Sequence, residues 1–589
     1  MRSAHVDPFV RDRLPTAGLQ PEFLFDLPEL VYPERLNAAS ALIDGPPADA
    51  PAVINDAGTW TYDAMRDLSD RIARLLVEEE GLVPGNRVLL RGPNGAVLFA
   101  AWLGVLKAGG IVVATMPILR PREIATIVER ARIHHAIVDD RHLADFLAAA
   151  DETGLIRSLL TYHGDAGGGA MERRLEGIAS GFAAVDTHRD DVALIAFTSG
   201  TTGRPKGCVH YHRDVLAPAD SFARFVLKPE PGGRWLCSAP IAFTFGLGMQ
   251  LIFPWRFGGA AVTIEQPGPK PLLEAAAKHR ATILATAPTA YKAMLGLIAE
   301  RGINAPPLDG EGLGRGVAGD RPRSASCLTP TPPWAATKAI SGGNSQAAHP
   351  IEGRGLLAGP LTSLTTCVSA GEHLPAATWQ AWREATGLGI VDGIGATEMM
   401  HIFISASGDD IRPGATGKAV PGYRACVLDG EGRPLPHGTG RLAVKGPTGC
   451  RYFDDERQRD YVQHGWNVTG DTFRQDEEGR FWYVARSDDM IVSAGYNIAA
   501  PEVENALYLH EAVAECAVIG VPCAERGQKV KAFIVLAAGR SASPDLAQAL
   551  QDHVKAAIAP YKYPREIAFV AALPRTATGK LQRFALRDG

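Results

Sequence analysis

Between residues 60 and 290 the apolar pattern changes period again and again, and this alternation limits the possible folds more than any other feature. WTYDAMRDLSDRIARLLVEE (60–79) carries apolar residues at helical spacing, and RVLLRG (87–92) reads as a short strand. AVLFAAWLGVLKAG (96–109) is a second helix and GIVVATM (110–116) a second strand. Strand and helix in succession predict an α/β fold of mostly parallel sheets with helices on their faces, since parallel neighbours need a crossover connection. At 589 residues the chain exceeds what one core organises, so at least two domains are expected.

The character changes after about residue 420. ACVLDGEGRPL (425–435) and GRLAVKG (440–446) read as strands of a β-rich subdomain, with Asp429-Gly430 as a hairpin-type turn. PEVENALYLH (501–510) opens with Pro and acidic residues, as helix starts do. AECAVIGVP (514–522) and KAFIVLA (531–537) follow as strands, and LAQALQDHVKAAI (546–558) as a helix. Together they predict a small α+β domain of about a hundred residues. Residues 303–360 hold ten Gly and eight Pro in 58 positions with no sustained apolar period, a low-complexity insertion on which no function is built.

Composition narrows the class. Hydrophobic residues make up 46% and charged residues 21%, as in a soluble globular protein, and a net charge of −5 gives no basic footprint for nucleic acid. LFAAWLGVLKAGGIVVATMPIL (98–119) is the most membrane-like stretch, but Lys107 and Gly109-Gly110 interrupt it, so a buried helix and strand are expected and no membrane partner. The opening residues lack an apolar run of signal-peptide length, which predicts a cytoplasmic enzyme. Eight cysteines without CxxC or His-paired spacing predict free thiols and no thiolate-bound metal.

Chemistry enters with TSGTTGRPKG (198–207), which follows the apolar run LIAF (194–197). It is not a Walker loop, because Pro205 precedes Lys206 and Gly207 follows it. Glycines let successive backbone N–H groups point one way, hydroxyls add donors, and a lysine adds charge, so the loop has the chemistry of a phosphate cradle, with a glycine-rich surface turn as the alternative. SAGEHLP (369–375), DGIGATE (392–398), TGD (469–471), RSDDMIVSAGYNI (486–498) and PRTATGKLQR (574–583) follow in order. With them the chain resembles the adenylate-forming acyl- and aryl-CoA synthetases along nearly its whole length, the insertion excepted.

The resemblance implies a large N-terminal domain (1–486), a hinge (487–489) and a C-terminal domain (490–589). It implies that a carboxylate attacks ATP to give an acyl-adenylate and pyrophosphate, and that coenzyme A then displaces AMP. Thr198, Ser199, Gly200, Thr201, Thr202, Gly203 and Lys206 would hold phosphates, Thr397 would touch them, and Glu398 would bind Mg2+. Lys580 would stabilise charge at the α-phosphate and carboxylate. Asp471 would hold the ribose with Arg486 in support. Adenine would lie between Ser369, Ala370, Gly371 and Glu372 on one side and Asp392, Gly393 and Ile394 on the other. Ile394 stands where the family commonly has an aromatic ring, so stacking is lost there. Asp488 is the expected pivot, and rotation about it would bring the face around Gly495 to the adenylate.

LVYPERLNAA (30–39), GATEMMHIF (395–403) and GYNIAAPEVE (495–504) look most like benzoate- and 2-aminobenzoate-CoA ligases. The resemblance lines the acid pocket with Phe243, Ala290, Tyr291, Gly395, His401 and Ile402. An apolar slot of such residues suits an aromatic ring, while medium-chain and alicyclic acids stay open. Two other readings stay open beside an aryl-CoA ligase: an enzyme loading a carrier protein, and a non-catalytic acyl- or nucleotide-binding relative. The sequence also leaves a homodimer open.

Overall fold

The computed structural model of the chain describes residues 3–198, 205–300, 361–486, 490–493, 496–523, 527–558, 560–575 and 581–587. Among these the βα rhythm resolves into two large sheets. One runs in the order Ser158–Tyr162, His135–Asp139, Arg87–Arg91, Ile111–Thr115, Val192–Thr198 and Lys206–Tyr211, all parallel except the last, antiparallel pair. In the other, Ile390–Gly395, Thr366–Ala370, Ile283–Thr286, Arg234–Cys237, Ala260–Val262 and Pro51–Asn55 lie side by side and parallel. Antiparallel strands, Ile402–Ser405 and Lys418–Ala419 at one edge and Gly58–Thr61 at the other, close it.

The two expected helices bind these sheets together. Tyr62–Glu78 starts at Thr61, whose hydroxyl accepts from the Ala64 N–H at 3.2 Å, and it buries one apolar stripe. Ala96–Lys107 is buried at every position, which is why its sequence reads almost like a membrane span. Its terminal Lys107 is not left uncompensated: its ammonium lies 2.6 Å from Asp70 on the neighbouring helix. No described helix is long and apolar enough to cross a membrane.

The β-rich part is an antiparallel sheet built on Arg424–Leu428, Gly438–Lys445, Trp466–Gln475 and Phe481–Arg486. The expected Asp-Gly turn is longer than two residues. Leu428 pairs with Pro434, and the Asp429 carboxylate organises the loop by accepting from the Glu431 and Arg433 N–H groups at 2.8 and 2.9 Å. The chain then leaves this sheet at Arg486 and enters a separate one at Met490, where Tyr496–Ala499, Met490–Ser493, Gly527–Leu536 and Val513–Cys523 are antiparallel. Glu566–Phe569 adds a parallel strand, and the helices Ala500–Tyr508 and Pro544–Ala557 pack on this second domain. The low-complexity stretch 303–360 and the expected hinge 487–489 lie outside the described residues.

Candidate active site

The expected phosphate loop joins two strands whose ends the register fixes. Thr198 ends one strand and pairs with Lys206, which begins the next, so the lysine emerges at the mouth of the loop. Ser199, Gly200, Thr201, Thr202 and Gly203 lie outside the described residues. Lys206 Nζ donates to the Tyr452 hydroxyl at 2.8 Å and stands 3.9 Å from Glu398 Oε1. Tyr452 in turn donates to Glu398 Oε1. Burial and the neighbouring carboxylate push the Tyr452 phenol well above its ordinary pKa, so it remains a donor.

Glu398 sits in the short turn Thr397–Met399, which directly follows the strand Ile390–Gly395. The Thr397 carbonyl shares a hydrogen bond of 2.8 Å with His210 Nε2, tying the turn to the strand that carries Lys206. No cluster of three acidic, His or Cys side chains occurs among the described residues. A divalent ion held by Glu398 therefore has to draw most of its ligands from phosphate oxygens and water, a donor set that fits Mg2+.

The nucleoside side is drawn together by sheet register. Asp471 and Arg486 are partners across adjacent antiparallel strands, with Arg486 Nη1 3.7 Å from Asp471 Oδ1. Ser369 lies beside Asp392, and Ala370 beside Gly393, on the paired strands expected to hold adenine. Burial raises the Asp392 carboxyl to about 8, against the neighbouring Gly393 N–H and Ser369 hydroxyl, which lower it, and so favours the protonated form, which can donate as well as accept. Ile394 faces a core-packed, partly buried position, and Glu372 lies 3.9 Å from Arg575 of the C-terminal domain. Arg575 also forms an antiparallel bridge with Leu581. Lys580, Asp488 and Gly495 themselves lie outside the described residues.

The acid side depends on close approach. Gly395 pairs with Ile402, and a Cβ on Gly395 would stand 2.7 Å from the His401 carbonyl oxygen. One on Gly393 would stand 2.7 Å from the Ile402 side chain, so both positions need glycine. His401 is 2% exposed and enclosed by Phe222, Phe245 and Phe253, whose ring centroids lie 5.5, 5.5 and 4.5 Å away. Burial lowers its pKa to about 3, so this imidazole is neutral and does not neutralise a carboxylate. Its Nδ1 is buried with no hydrogen-bond partner among the described residues.

Tyr291, Phe243 and Ala290 are the other expected pocket residues. Tyr291, on the helix Pro288–Glu300, gives its hydroxyl to the carbonyls of Leu284 and Val368 at 2.9 and 3.0 Å and packs edge-on to Trp382. It belongs to a core cluster with Trp379 and Met294, apart from the one that contains Ile402. Phe243 is half-buried at the start of the helix Thr244–Leu247; Phe245, two residues on, is the ring stacked on His401. Ala290 is half-buried on the same helix as Tyr291. Sequence reasoning also passed over Tyr452, because nothing in CRYFDDERQ separates a phenol that meets Lys206 from one that fills a core.

Comparison with known proteins agrees with this geometry. Residues 41–452 match the AMP-binding enzyme family and residues 502–580 the AMP-binding enzyme C-terminal domain. Benzoate–CoA ligase of Thauera aromatica is 33% identical over 570 residues, covering 95% of this chain and 97% of its own. The solved structure of the anthranilate CoA ligase AuaEII in complex with anthranoyl-AMP is 31% identical with a TM-score of 0.81, covering 95% of this chain and 98% of that one. A benzoate CoA ligase from Burkholderia xenovorans LB400 is 29% identical with a TM-score of 0.77, covering 94% and 100%. The chain belongs to the AMP-binding enzymes, the adenylate-forming CoA ligases, and is an acid–thiol ligase.

Proposed function

We propose that this ligase activates a benzoate-type acid, benzoate or 2-aminobenzoate, with ATP and transfers the aroyl group to coenzyme A. The observation that carries the aromatic assignment is the neutral, phenyl-enclosed His401 beside the Gly393–Gly395 strand. Such a wall accepts a flat apolar ring and offers its carboxylate no counter-charge, so the carboxylate is left to face the nucleotide. The likeness to benzoate and anthranilate CoA ligases supports the same reading.

In the first half-reaction a carboxylate oxygen attacks the α-phosphorus, a P–O bond forms, and the bond to the bridging oxygen of pyrophosphate breaks. Several anions meet in this step, so it needs positioned cations more than acid–base groups. Lys206 would meet the β- and γ-phosphates at the mouth of its loop, and Lys580 the α-phosphate and carboxylate. Bound at Glu398, Mg2+ would neutralise phosphate charge. Asp471 would accept from the ribose hydroxyls, held in place by Arg486. In the second half-reaction the CoA thiolate attacks the acyl carbon and AMP leaves. Rotation about 487–489 would withdraw Lys580 and turn the face around Gly495 inward.

Pyrophosphate release tests this reading, with ATP, Mg2+ and a panel of benzoate, 2-aminobenzoate, hydroxybenzoates, cyclohexanecarboxylate and octanoate, each with and without CoA. Aryl-dependent release that CoA accelerates is the expected result. A preference for octanoate would overturn the aromatic assignment, and release indifferent to CoA would point to a carrier-protein acceptor.

A further inference from the structure

Lys206 and Glu398, a cation for phosphate and a carboxylate for metal, stand 3.9 Å apart with a phenol between them. The Tyr452 hydroxyl accepts from Lys206 Nζ at 2.8 Å and spends its single proton on Glu398. The ammonium also lies over the Tyr452 ring, 4.6 Å from its centroid. Tyr452 itself is fixed. It is 1% exposed, its backbone N–H donates to Gln458 Oε1 at 2.8 Å, its backbone bridges Cys208, and its ring meets Tyr461 edge-on at 5.7 Å.

A lysine and a carboxylate this close, with nothing between them, contract into a direct ion pair. Each would then satisfy the other, and the phosphate cation and the metal carboxylate would both be withdrawn from the nucleotide. We infer that Tyr452 is a positioning residue, a rigid spacer that keeps Lys206 and Glu398 from pairing and so holds both ready for the metal-bound triphosphate. The inference rests on the reading that this site binds ATP with Mg2+, and it concerns a residue that acts through Lys206 and Glu398.

The test is calorimetric binding of Mg-ATP and of AMP to the full chain, with Mg2+ varied, for wild type, Tyr452→Phe, and Tyr452→Phe combined with Lys206→Met. The Phe variant keeps the ring and removes only the spacer oxygen. Its affinity for Mg-ATP is expected to fall about tenfold, with a matching rise in the Mg2+ needed for half-saturation, as expected for loss of a hydrogen bond to charged groups. AMP, which lacks the β- and γ-phosphates, is expected to bind as to wild type. Removing Lys206 as well takes away the competing partner of Glu398. Half-saturation by Mg2+ is then expected to return toward the wild-type value while ATP affinity stays weak, a pattern that a merely structural role does not produce.

Equal weakening of AMP and Mg-ATP, or an unchanged Mg2+ requirement in Tyr452→Phe, would overturn the inference. Ligand-free melting checks the fold. If the Phe variant does not fold, Tyr452→His, whose shorter ring stops short of Glu398, carries the same readout. A wild-type chain that binds no Mg-ATP would instead remove the ligase reading, which separates the two failures.

Discussion

Where the nucleotide is expected, Asp471 and Arg486 face each other across paired strands, and Lys206 reaches Glu398 through a phenol. Where the acid is expected, a neutral imidazole lies among three phenyl rings against a strand stripped to glycine. On the proposed reading one region recognises by charge and the other by shape. Charged recognition is strong and intolerant, because an unpaired partner in a shielded site is expensive. Apolar walls discriminate by only about 1–3 kcal/mol per methylene, so the acid side is where relatives of one architecture can diverge.

Substitutions on each side sharpen or break this contrast. The largest effect is expected from Lys580→Ala. Adenylate formation should fall about 100- to 1000-fold, the scale for losing one group aimed at developing charge, while thioester formation from supplied aroyl-adenylate is largely kept. Equal loss in both half-reactions, measured by rapid quench, would break the assignment of Lys580 to the first step alone. Next, Asp471→Asn should raise KM for ATP about tenfold and leave KM for the acid unchanged; a parallel rise in both would mean the two regions are not independent.

A smaller effect belongs to His401→Phe, which keeps a ring among rings. Turnover of benzoate should change less than about fivefold, because no charge is lost. Acid sensitivity should change in a definite direction. Below about pH 6.5 the unfolded chain takes up a proton that buried His401, lowered to about 3, refuses, so stability falls as pH drops through that window. The Phe variant loses this contribution and should melt later relative to wild type at pH 5 than at pH 7.5. The least visible change at neutral pH is expected from Asp392→Asn, and its signature is the opposite slope. Folded Asp392 keeps its proton up to about 8 whereas the unfolded carboxyl has lost it, so wild-type stability declines as pH rises from the ordinary Asp range toward 8. Asn cannot ionise, and the variant should gain on wild type across that window in thermal melts.

The same contrast explains what could be read in advance. Asp471, mid-strand, lies opposite Arg486 at the end of the neighbouring strand, and Ser369 and Asp392 fall on another pair, so short motifs and strand register carried them together. The helix Tyr62–Glu78 was legible from its period, and Ala96–Lys107 from its continuous apolar run. The wall proposed for the acid was harder. Its rings come from Phe222, Phe245 and Phe253, on separate turns of chain, and no local pattern says which of two nearby phenylalanines will stack on His401. Tyr291 shows the complementary ambiguity. A tyrosine at the right place in a motif is still free to give its hydroxyl to two backbone carbonyls and become core. Tyr452 escaped because its meaning lies in what it separates, and separation leaves no trace in a single sequence.

Arg575 carries a consequence for how the enzyme changes state. Its guanidinium is bound at 2.7 Å to Glu515 on its own domain and lies only 3.9 Å from Glu372 on the large one. If the C-terminal domain rotates as proposed, the nearer carboxylate travels with the arginine and the farther one is left behind. The charge is never stranded, and this contact adds on the order of 1 kcal/mol or less to the barrier. On that proposal Arg575 would work as a clasp with one hand always holding, light enough to let go of Glu372 when the domains part.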